Sequence, residues 1–336
     1  MCCEQAVVVN RVGDTSAMTY AEDQPVPLVG VHQVLVKNQF AGLNFIDTYH
    51  RSGLYKRDLP FILGGDGGGE IAAVGSGVTG WNVGDKVAYM ADGSYAEYTA
   101  VSVCKLVKVP EQVDLKNAIA AMVQGLTAHY LVTSAHCGLI QEGEWCLIYS
   151  VGSGTGQWAA QMAKLRGYKV IGTCSAAKAE MGKTVGCDEL ILLDSPEGKS
   201  YADYASTDLA AKIMEITNNV GCKCVIDGIG KSTWEISLKV LARRGIWISF
   251  GNASGVVPDF SPLKLAVKSA FLTRPKLGDY VASREELDGR WSEVVDWITT
   301  GKLAMSIDRV FPLAEAAEGH KYIESGQTKG KTLFQL

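Results

Sequence analysis

The sequence lacks two features that would assign it to a membrane-spanning or nucleic-acid-binding class. No apolar run approaches the roughly 18 residues that a membrane-spanning helix requires. Positive charge is not in excess, because 36 acidic residues outnumber 32 basic ones and the net charge is −4 at pH 7. Broad binding to nucleic acid or to an anionic membrane needs a basic surface. We therefore expect no membrane association and no nucleic-acid partner.

The nine cysteines are scattered, and none of them forms a CxxC pair. The sequence thus lacks the ligand spacing that is typical of structural zinc, and the odd count does not suggest a disulfide framework. The N-terminal stretch MCCEQAVVVNRVGD has no basic segment followed by an apolar core, as a secretory signal would have. We expect reduced thiols, no structural metal and a cytoplasmic location.

A length of 336 residues favours two domains. The hydrophobic pattern of the chain also changes once along its length. Residues 1–124 contain short alternating runs such as QAVVVNRV, separated by Gly, Pro and Asp, which predict a compact all-β unit. From about Leu126, short buried strands alternate with helical stretches, which predicts parallel βαβ units in a doubly wound sheet. The segment from about Lys276 is mixed and is predicted to rejoin the first domain.

Within the second part, the helical stretch GQWAAQMAKLRG places Trp158, Met162 and Leu165 on one side. The strand CLIYS precedes it. We predict further strands and helices at the following segments: strands at KVIGT, ELILL, CKCVIDGI, GIWISFG and AFLTR, and helices at DLAAKIMEITNN, STWEISLKVLARR and PLKLAVKSA.

The glycine-rich segment SVGSGTG (150–156) lies between the first strand and the first helix of this sheet. Glycines allow a pyrophosphate to approach the backbone closely, and the helix N-terminus offers amide donors and a positive dipole. The segment therefore predicts dinucleotide binding. The alternative is a structural turn in a doubly wound domain that binds another ligand.

The end of the second strand indicates which dinucleotide is bound. An NAD-dependent enzyme usually has Asp or Glu roughly 20 residues after the loop, where it contacts the ribose hydroxyls. Thr173, Cys174 and Ser175 supply no acid there, and Lys178 follows. Small hydroxyls and a lysine suit a 2′-phosphate, so we predict NADPH. The alternative for Lys178 is a solvent-exposed helix lysine.

The chain resembles a known family. The resemblance rests on AGLNFIDTYHRSGLY (41–55), VGDKVAY (83–89), QGLTAHYLV (124–132), ISFGNASG (248–255) and FLTRP (271–275), which occur in the family's order. The sequence is similar to the zeta-crystallin-like quinone oxidoreductases of the medium-chain dehydrogenase/reductase superfamily.

The resemblance implies an α/β fold with two domains. Residues 127–275 would form a Rossmann domain with a doubly wound parallel sheet, and residues 1–126 and 276–336 a GroES-like, mainly-β domain. It also implies a homodimer that pairs through the edge of the cofactor-domain sheet. The cofactor contacts that it implies are Asn44, Thr127, Ser150, Ser153, Gly154, Thr155, Gly156, Thr173, Ser175, Lys178, Phe250, Gly251, Asn252, Phe271, Leu272 and Lys331.

Two departures from the family pattern concern the cofactor site. The family's loop commonly reads Ala-x-x-Gly-x-x-Gly, whereas this chain has Ser150 and Ser153 in the first two places. Serine hydroxyls donate to phosphate, so we expect binding to persist. A family tyrosine near the 2′-phosphate is missing from its place. Tyr201 and Tyr204 lie nearby in the sequence, and neither is assigned to its role.

Zinc-dependent relatives have Gly-His-Glu where this chain has Gly64-Gly65-Asp66, so no imidazole is available and we predict a zinc-free site. Without zinc as a Lewis acid, the acceptor must itself be electrophilic, as a quinone is. The prediction is an NADPH-dependent quinone reductase with a small-molecule quinone as substrate. One alternative is an NADPH-dependent enal or enone reductase. Another is a cofactor-binding structural or RNA-interacting protein.

Candidate catalytic residues lie in the segment 41–55. Tyr49 and, secondarily, Tyr55 are predicted to donate to the developing oxyanion, since a phenol is protonated at neutral pH. Asn44 is predicted to orient the nicotinamide or the substrate through its amide, and Asp47 to join a buried network. The alternatives are pocket-wall tyrosines and a turn asparagine.

Overall fold

A computed structural model of the chain describes residues 3–194 and 208–336. The chain divides into two compact units. The first comprises Met1–Leu126, Val281–Gly301 and Met305–Leu336, and the second comprises Thr127–Tyr280 and Lys302–Ala304. In the described ranges, no helix is both long and apolar enough to cross a membrane.

The described residues form sixteen strands and eleven α-helices. The strands are β1 Cys3–Val9, β2 Met18–Pro25, β3 Gln33–Leu43, β4 Phe61–Ile62, β5 Gly67–Val74, β6 Lys86–Tyr89, β7 Tyr98–Ser102, β8 Leu106–Lys108, β9 Trp145–Ile148, β10 Lys169–Cys174, β11 Glu189–Leu192, β12 Cys222–Asp227, β13 Leu241–Ser249, β14 Phe271–Thr273, β15 Ile307–Pro312 and β16 Lys331–Gln335. The helices are α1 Phe45–Ser52, α2 Leu115–Ala120, α3 Leu126–Thr133, α4 Gly154–Leu165, α5 Ala179–Thr184, α6 Leu209–Ile216, α7 Trp234–Val240, α8 Leu263–Ala266, α9 Leu277–Tyr280, α10 Arg284–Thr299 and α11 Ala316–Glu324. A π-helical turn, Ala121–Gly125, joins α2 to α3.

The first unit is built on a seven-stranded sheet in the order β15-β16-β3-β5-β6-β8, with β7 also pairing with β3. A three-stranded sheet, β2-β1-β4, accompanies it. The C-terminal strand β16 lies antiparallel to β3 and so returns the end of the chain to the first unit. Leu43, Leu63 and Phe334 are among the fully buried residues of its core. The unit is mainly β, as the resemblance implies.

The prediction of an all-β unit for residues 1–124 is wrong at α1 and α2. Helix α1 begins after Asn44, whose backbone N–H donates to the carboxylate of Asp47 at 2.8 Å, and it ends at Gly53 with φ of 82°. An acid three residues after an N-cap and a left-handed glycine after the last turn are helix-end signals. Both signals are present in the sequence, and they produce a helix although the residues on either side have a β pattern.

The second unit contains a six-stranded parallel sheet in the order β11-β10-β9-β12-β13-β14. Numbered from β9, this is the 3-2-1-4-5-6 order of a doubly wound dinucleotide-binding sheet. The predicted fold class, a Rossmann sheet plus a GroES-like mainly-β domain, is confirmed. Strand β14 lies at the edge of the described sheet.

Two details of the second unit differ from the prediction. Leu165 is 39% exposed in the last position of α4, whereas Trp158 and Met162, two turns and one turn earlier, are buried. The helix predicted for STWEISLKVLARR stops at Val240. Leu241 already pairs with Cys222 of β12, so sheet pairing replaces the helix over the last residues of that segment.

Candidate active site

The loop 150–156 connects β9 to α4 and is stabilised by its own polar groups. Ser153 is the N-cap of α4, and its hydroxyl accepts the N–H of Gly156 at 3.2 Å. Ser150 adopts a positive φ of 57°, and its N–H donates to the hydroxyl of Thr173 at 3.2 Å. A Cβ at Gly156 would overlap the carbonyl oxygen of Ser150. The two serines that depart from the family pattern therefore shape the loop, and Gly156 allows it to close tightly.

Lys178 is packed against this loop. A Cβ at Gly152 would lie 2.7 Å from Cδ of Lys178, so the glycine is needed for the lysine stem to pass. Lys178 is only 7% exposed, and the alternative of a solvent-exposed lysine is therefore wrong. Thr173 and Ser175 are also buried. Asp194, at the end of the neighbouring strand, accepts the N–H of Ala176 and adds a negative charge to this region.

A second turn follows β12, the strand that pairs with β9 in the sheet. The chain order reverses between these two strands, and ligands of doubly wound sheets bind beyond the strand ends at that point. Gly154 and Thr155 begin α4 on one side of the reversal. On the other side, Asp227 ends β12.

Asp227 is a fully buried carboxylate, and the donors that the described part of the chain directs at it are uncharged. It accepts the N–H groups of Ile229 at 2.9 Å and Gly230 at 3.2 Å. The hydroxyls of Thr233 and Ser237 donate to it at 2.9 Å, and the indole of Trp247 donates at 3.2 Å. Burial raises the pKa of Asp227, and the donors oppose that shift. The carboxylate thus ties the turn after β12 to α7 and β13.

The predicted residues Phe250, Gly251 and Asn252 lie against this turn. The N–H of Phe250 donates to the carbonyl of Asp227 at 2.8 Å, and a Cβ at Gly228 would lie 2.7 Å from the Phe250 ring. A Cβ at Gly251 would overlap the carbonyl oxygen of Gly228. The two backbones are therefore in direct contact, and glycine is required at both positions.

Arg274 supports the same segment and was not predicted. Its guanidinium donates to the carbonyl oxygens of Ser249 and Gly251, both at 2.9 Å. The motif FLTRP contained this arginine, but one sequence carries no signal that it would contact a strand end. Phe271 and Leu272, predicted as cofactor contacts, lie on the edge strand β14 and are partly exposed. Tyr201 and Tyr204 lie outside the described residues.

In the first unit, Asn44 belongs to a buried polar cluster. Its Nδ2 donates to Asp66 Oδ1 at 2.7 Å, and its Oδ1 accepts Nζ of Lys331 at 2.8 Å. Lys331 also pairs with Asp66 Oδ2 at 2.9 Å, and both residues are fully buried. Asn44 is thus more than the turn residue of the alternative interpretation. The ammonium of Lys331, predicted as a cofactor ligand, serves here as the counter-ion of Asp66.

Asp47 extends this cluster, as expected of a buried network member. Its Oδ2 accepts the backbone N–H of Asn44 at 2.8 Å and the hydroxyl of Tyr95 at 3.1 Å. Burial raises the pKa of Asp47 to about 7, and the nearby Asp66 adds to the shift while Lys331 opposes it. The ammonium of Lys331 bonds Asp66 and Asn44, so it acts on Asp47 through its charge and not through a hydrogen bond, and burial favours the protonated form of Asp47.

The two candidate tyrosines lie together. The rings of Tyr49 and Tyr55 are 5.2 Å apart with an edge-to-face angle of 67°. Phe45 and His50 extend this aromatic group, with centroid distances of 6.2 Å to Tyr49 and 6.0 Å to Tyr55. Tyr49 is buried and Tyr55 is partly buried.

Thr127, the remaining predicted cofactor contact, lies in the first turn of α3 and is partly buried. Across residues 3–194 and 208–336, no group of three or more His, Cys, Asp or Glu side chains has an arrangement that could hold a metal ion.

Two family models match the chain. One, described as an alcohol dehydrogenase GroES-like domain, matches residues 30–111, and one described as a zinc-binding dehydrogenase matches residues 198–333. A quinone oxidoreductase of Pseudomonas aeruginosa is 39% identical over 327 residues, covering 96% of each chain. A 2-haloacrylate reductase of a Burkholderia species is 34% identical and covers 98% of each chain. The structure of an Escherichia coli quinone oxidoreductase complexed with NADPH has a TM-score of 0.91 at 33% identity, covering 99% of this chain and 100% of that one.

Proposed function

The chain belongs to the quinone oxidoreductase family of the medium-chain dehydrogenase/reductase superfamily, and from that premise we propose that it reduces quinones. It is an NADPH-dependent oxidoreductase. The relative from Pseudomonas aeruginosa supports the quinone as acceptor. The structural observation that best supports NADPH as the reductant is the packing of Lys178 on Gly152, because it sets a buried lysine beside the turn that is predicted to bind phosphate.

The residues of the second unit fit NADPH. The first N–H groups of α4, a helix of 12 residues, suit the pyrophosphate, and Gly156 allows the loop before them to close on the carbonyl of Ser150. The segment Thr173–Ser175 contributes no carboxylate of its own, and the carboxylate of Asp194 accepts the N–H of Ala176. Lys178 neutralises a 2′-phosphate. When bound, NADPH supplies a hydride.

In the first unit, we assign the proton transfer to Tyr49. Reduction of a quinone by hydride leaves an oxyanion that needs one proton, which the phenol of Tyr49 donates and then regains from water. Asn44 is held at both ends of its amide by Asp66 and Lys331, so its orientation is set before any ligand binds. Tyr55 supports the ring of Tyr49 through their edge-to-face contact.

A site with a tyrosine as its proton donor suits a quinone as the acceptor. Its π-system delocalises the incoming negative charge, so one weak proton donor suffices. Gly65 stands where zinc-dependent relatives have histidine, and no imidazole of the motif is available to hold a Lewis acid.

The test is steady-state oxidation of NADPH, and separately of NADH, with a panel of quinones and 2-alkenals. We expect turnover with quinones, a preference for NADPH, and slower turnover with alkenals. Faster turnover with alkenals than with every quinone would assign the chain to the second candidate, an enone reductase. The similarity to a 2-haloacrylate reductase is the observation that favours this second candidate, because its substrate is also a conjugated alkene.

We also propose a homodimer that pairs through β14. Within the described sheet this strand pairs with β13 alone, and Phe271 on it is 44% exposed. An unpaired edge with an exposed aromatic side chain is suited to continue the sheet into a second copy. Sedimentation equilibrium should give twice the chain mass, and a monomer at micromolar concentration would refute the proposal.

A further inference from the structure

We propose that Gln124 is a ligand-binding residue whose side-chain oxygen accepts a hydrogen bond from an uncharged donor at the site of hydride transfer, either the carboxamide of the nicotinamide or a hydroxyl of the reduced acceptor. This inference rests on the proposed NADPH-dependent reduction of quinones, and it gives a role to the first residue of the motif QGLTAHYLV, for which the sequence predicted none.

The first observation is an unpartnered oxygen. Gln124 is 9% exposed, and its Oε1 is buried without a hydrogen-bond partner among the described residues. Leaving a carbonyl oxygen in this state costs free energy, because the oxygen has lost its water and gained nothing in return. Buried polar atoms of this kind are uncommon in proteins and call for an explanation. A donor on a ligand provides one.

The second observation is the backbone around it. Gln124 lies in the π-helical turn Ala121–Gly125, which interrupts the α-helical run from α2 into α3. Such turns are rare and occur frequently at functional sites. Met122 and Leu126 on either side are fully buried, so this turn is part of a packed helix and not a frayed end. The π-helical backbone and the side-chain oxygen without a hydrogen-bond donor thus occur at the same residue.

The chemistry of the side chain limits the ligand group. A carboxamide oxygen is an uncharged acceptor, which pairs with an N–H or O–H group and not with the oxygens of a phosphate. NADPH also carries ribose hydroxyls and an adenine amino group, and the proposal assigns the partner to one of the two groups at the site of hydride transfer: the carboxamide of the nicotinamide or a hydroxyl of the hydroquinone product. Thr127, a predicted cofactor contact, follows about one turn later in the same helical run.

The test uses Gln124→Met, which preserves side-chain length and removes the acceptor. Three quantities are measured: the thermal midpoint of the ligand-free chain, the NADPH dissociation constant by tryptophan fluorescence without quinone, and the inhibition constant of the hydroquinone. We expect the midpoint to stay the same or rise, because an unsatisfied buried oxygen is removed, while one ligand loses about tenfold in affinity.

The two ligand sources give different results. If the nicotinamide carboxamide is the partner, NADPH affinity falls while the affinity for 2′-phospho-ADP-ribose, which lacks the nicotinamide, does not change. If the hydroquinone is the partner, NADPH affinity is unchanged and the inhibition constant rises. A lowered midpoint with unchanged binding would overturn the inference, since it would show a structural role. An equal loss for NADPH and 2′-phospho-ADP-ribose would also overturn it.

Ser94→Ala is the matched control. Ser94 is also buried in the first unit with an unpartnered oxygen. Its replacement should leave the affinities for NADPH and for the hydroquinone unchanged. The comparison thereby separates a general effect of removing a buried oxygen from the effect at Gln124. The proposed function fails separately: an unmodified chain that binds NADPH but reduces no quinone would refute quinone reduction and leave the nicotinamide result valid.

Discussion

Each unit of the molecule buries a carboxylate completely, and the two units stabilise it in different ways. Asp66 in the first unit pairs with the ammonium of Lys331, a residue 265 positions away in the chain. Asp227 in the second unit is surrounded by neutral donors that lie within 20 positions of it. The first arrangement depends on a long-range charge pair, and the second depends on a local set of dipoles.

The difference determines how each unit responds to the loss of one partner. A buried ion that loses its counter-ion retains a full uncompensated charge. A carboxylate with five neutral donor residues loses only one hydrogen bond when a single donor is removed. We therefore expect the first unit to be sensitive to substitution of one residue and the second unit to be more tolerant.

The largest effect is expected for Lys331→Met, which leaves Asp66 buried without its cation. The free energy of unfolding of the full chain should fall by about 3–5 kcal/mol in chemical denaturation. The double variant Lys331→Met/Asp66→Asn should recover most of this loss. Lys321→Met, which breaks the exposed pair of Lys321 with Glu318, is the matched surface control and should cost less than about 1 kcal/mol. Equal losses in the single and double variants would show that Lys331 contributes packing and not charge.

A pH-dependent effect is expected at Asp47. Burial raises its pKa from 3.8 to about 7, so the folded chain binds this proton more tightly than the unfolded chain does. Its contribution to stability is therefore complete below the unfolded pKa and is lost as the pH rises through about 7.

Relative to Asp47→Asn, the unmodified chain should lose on the order of 3 kcal/mol between about pH 4 and pH 8. Denaturation at stepped pH measures the difference. A difference that does not vary with pH would show that folding leaves the pKa of Asp47 at its unfolded value.

The next effect is expected for Asp227→Asn in the second unit. The new amide group faces N–H and O–H donors and leaves some of them unsatisfied, which should lower the free energy of unfolding by about 2 kcal/mol. NADPH binding should weaken as well, because the turn at Gly228 supports Phe250. Thr233→Val removes one donor and should cost about 1 kcal/mol. A loss larger than that of Lys331→Met would reverse the comparison between the units.

Cofactor selectivity should depend on residues of the second unit and not on those of the first. Lys178→Glu replaces attraction by repulsion at the predicted 2′-phosphate site, so NADPH affinity should fall at least about tenfold while NADH affinity changes little. Asp194→Asn removes a nearby negative charge and should shift the ratio in the opposite direction. Fluorescence titration with both cofactors gives the ratio. Equal losses for NADPH and NADH would place Lys178 away from that phosphate.

The smallest effect is expected in the first unit, for Tyr49→Phe. The ring remains and the proton donor is lost, so kcat with a quinone should fall about tenfold, or ~1.4 kcal/mol. The decrease is smaller than the loss of a donor at a demanding oxyanion site would cause, because the quinone delocalises its charge. NADPH affinity should be unchanged, and Tyr55→Phe should have less effect. Unchanged kcat would mean that water or the cofactor ribose supplies the proton.

The parts of the site that could be predicted from sequence depend on local signals. The turn 150–156, the missing acid at Thr173–Ser175 and the alternation of strands and helices are each encoded within a few neighbouring residues, and the family motifs place them in order. Helix α1 was also encoded locally, by Asn44, Asp47 and Gly53, although the surrounding β pattern concealed it. The start of β13 at Leu241 was not encoded by neighbouring residues, because pairing with β12 determines it.

The sequence by itself therefore determined the fold class, the glycine-rich turn between β9 and α4 and the choice of NADPH. Only the tertiary structure decided which charges and donors meet: Lys331 with Asp66, Arg274 with the end of β13, Lys178 with Gly152, and no described partner for the oxygen of Gln124. The physical reason is that burial and pairing result from contacts between distant segments. Propensity and spacing describe the chain over one or two turns, and they carry no information about which side chain will lose its water or which group will replace it.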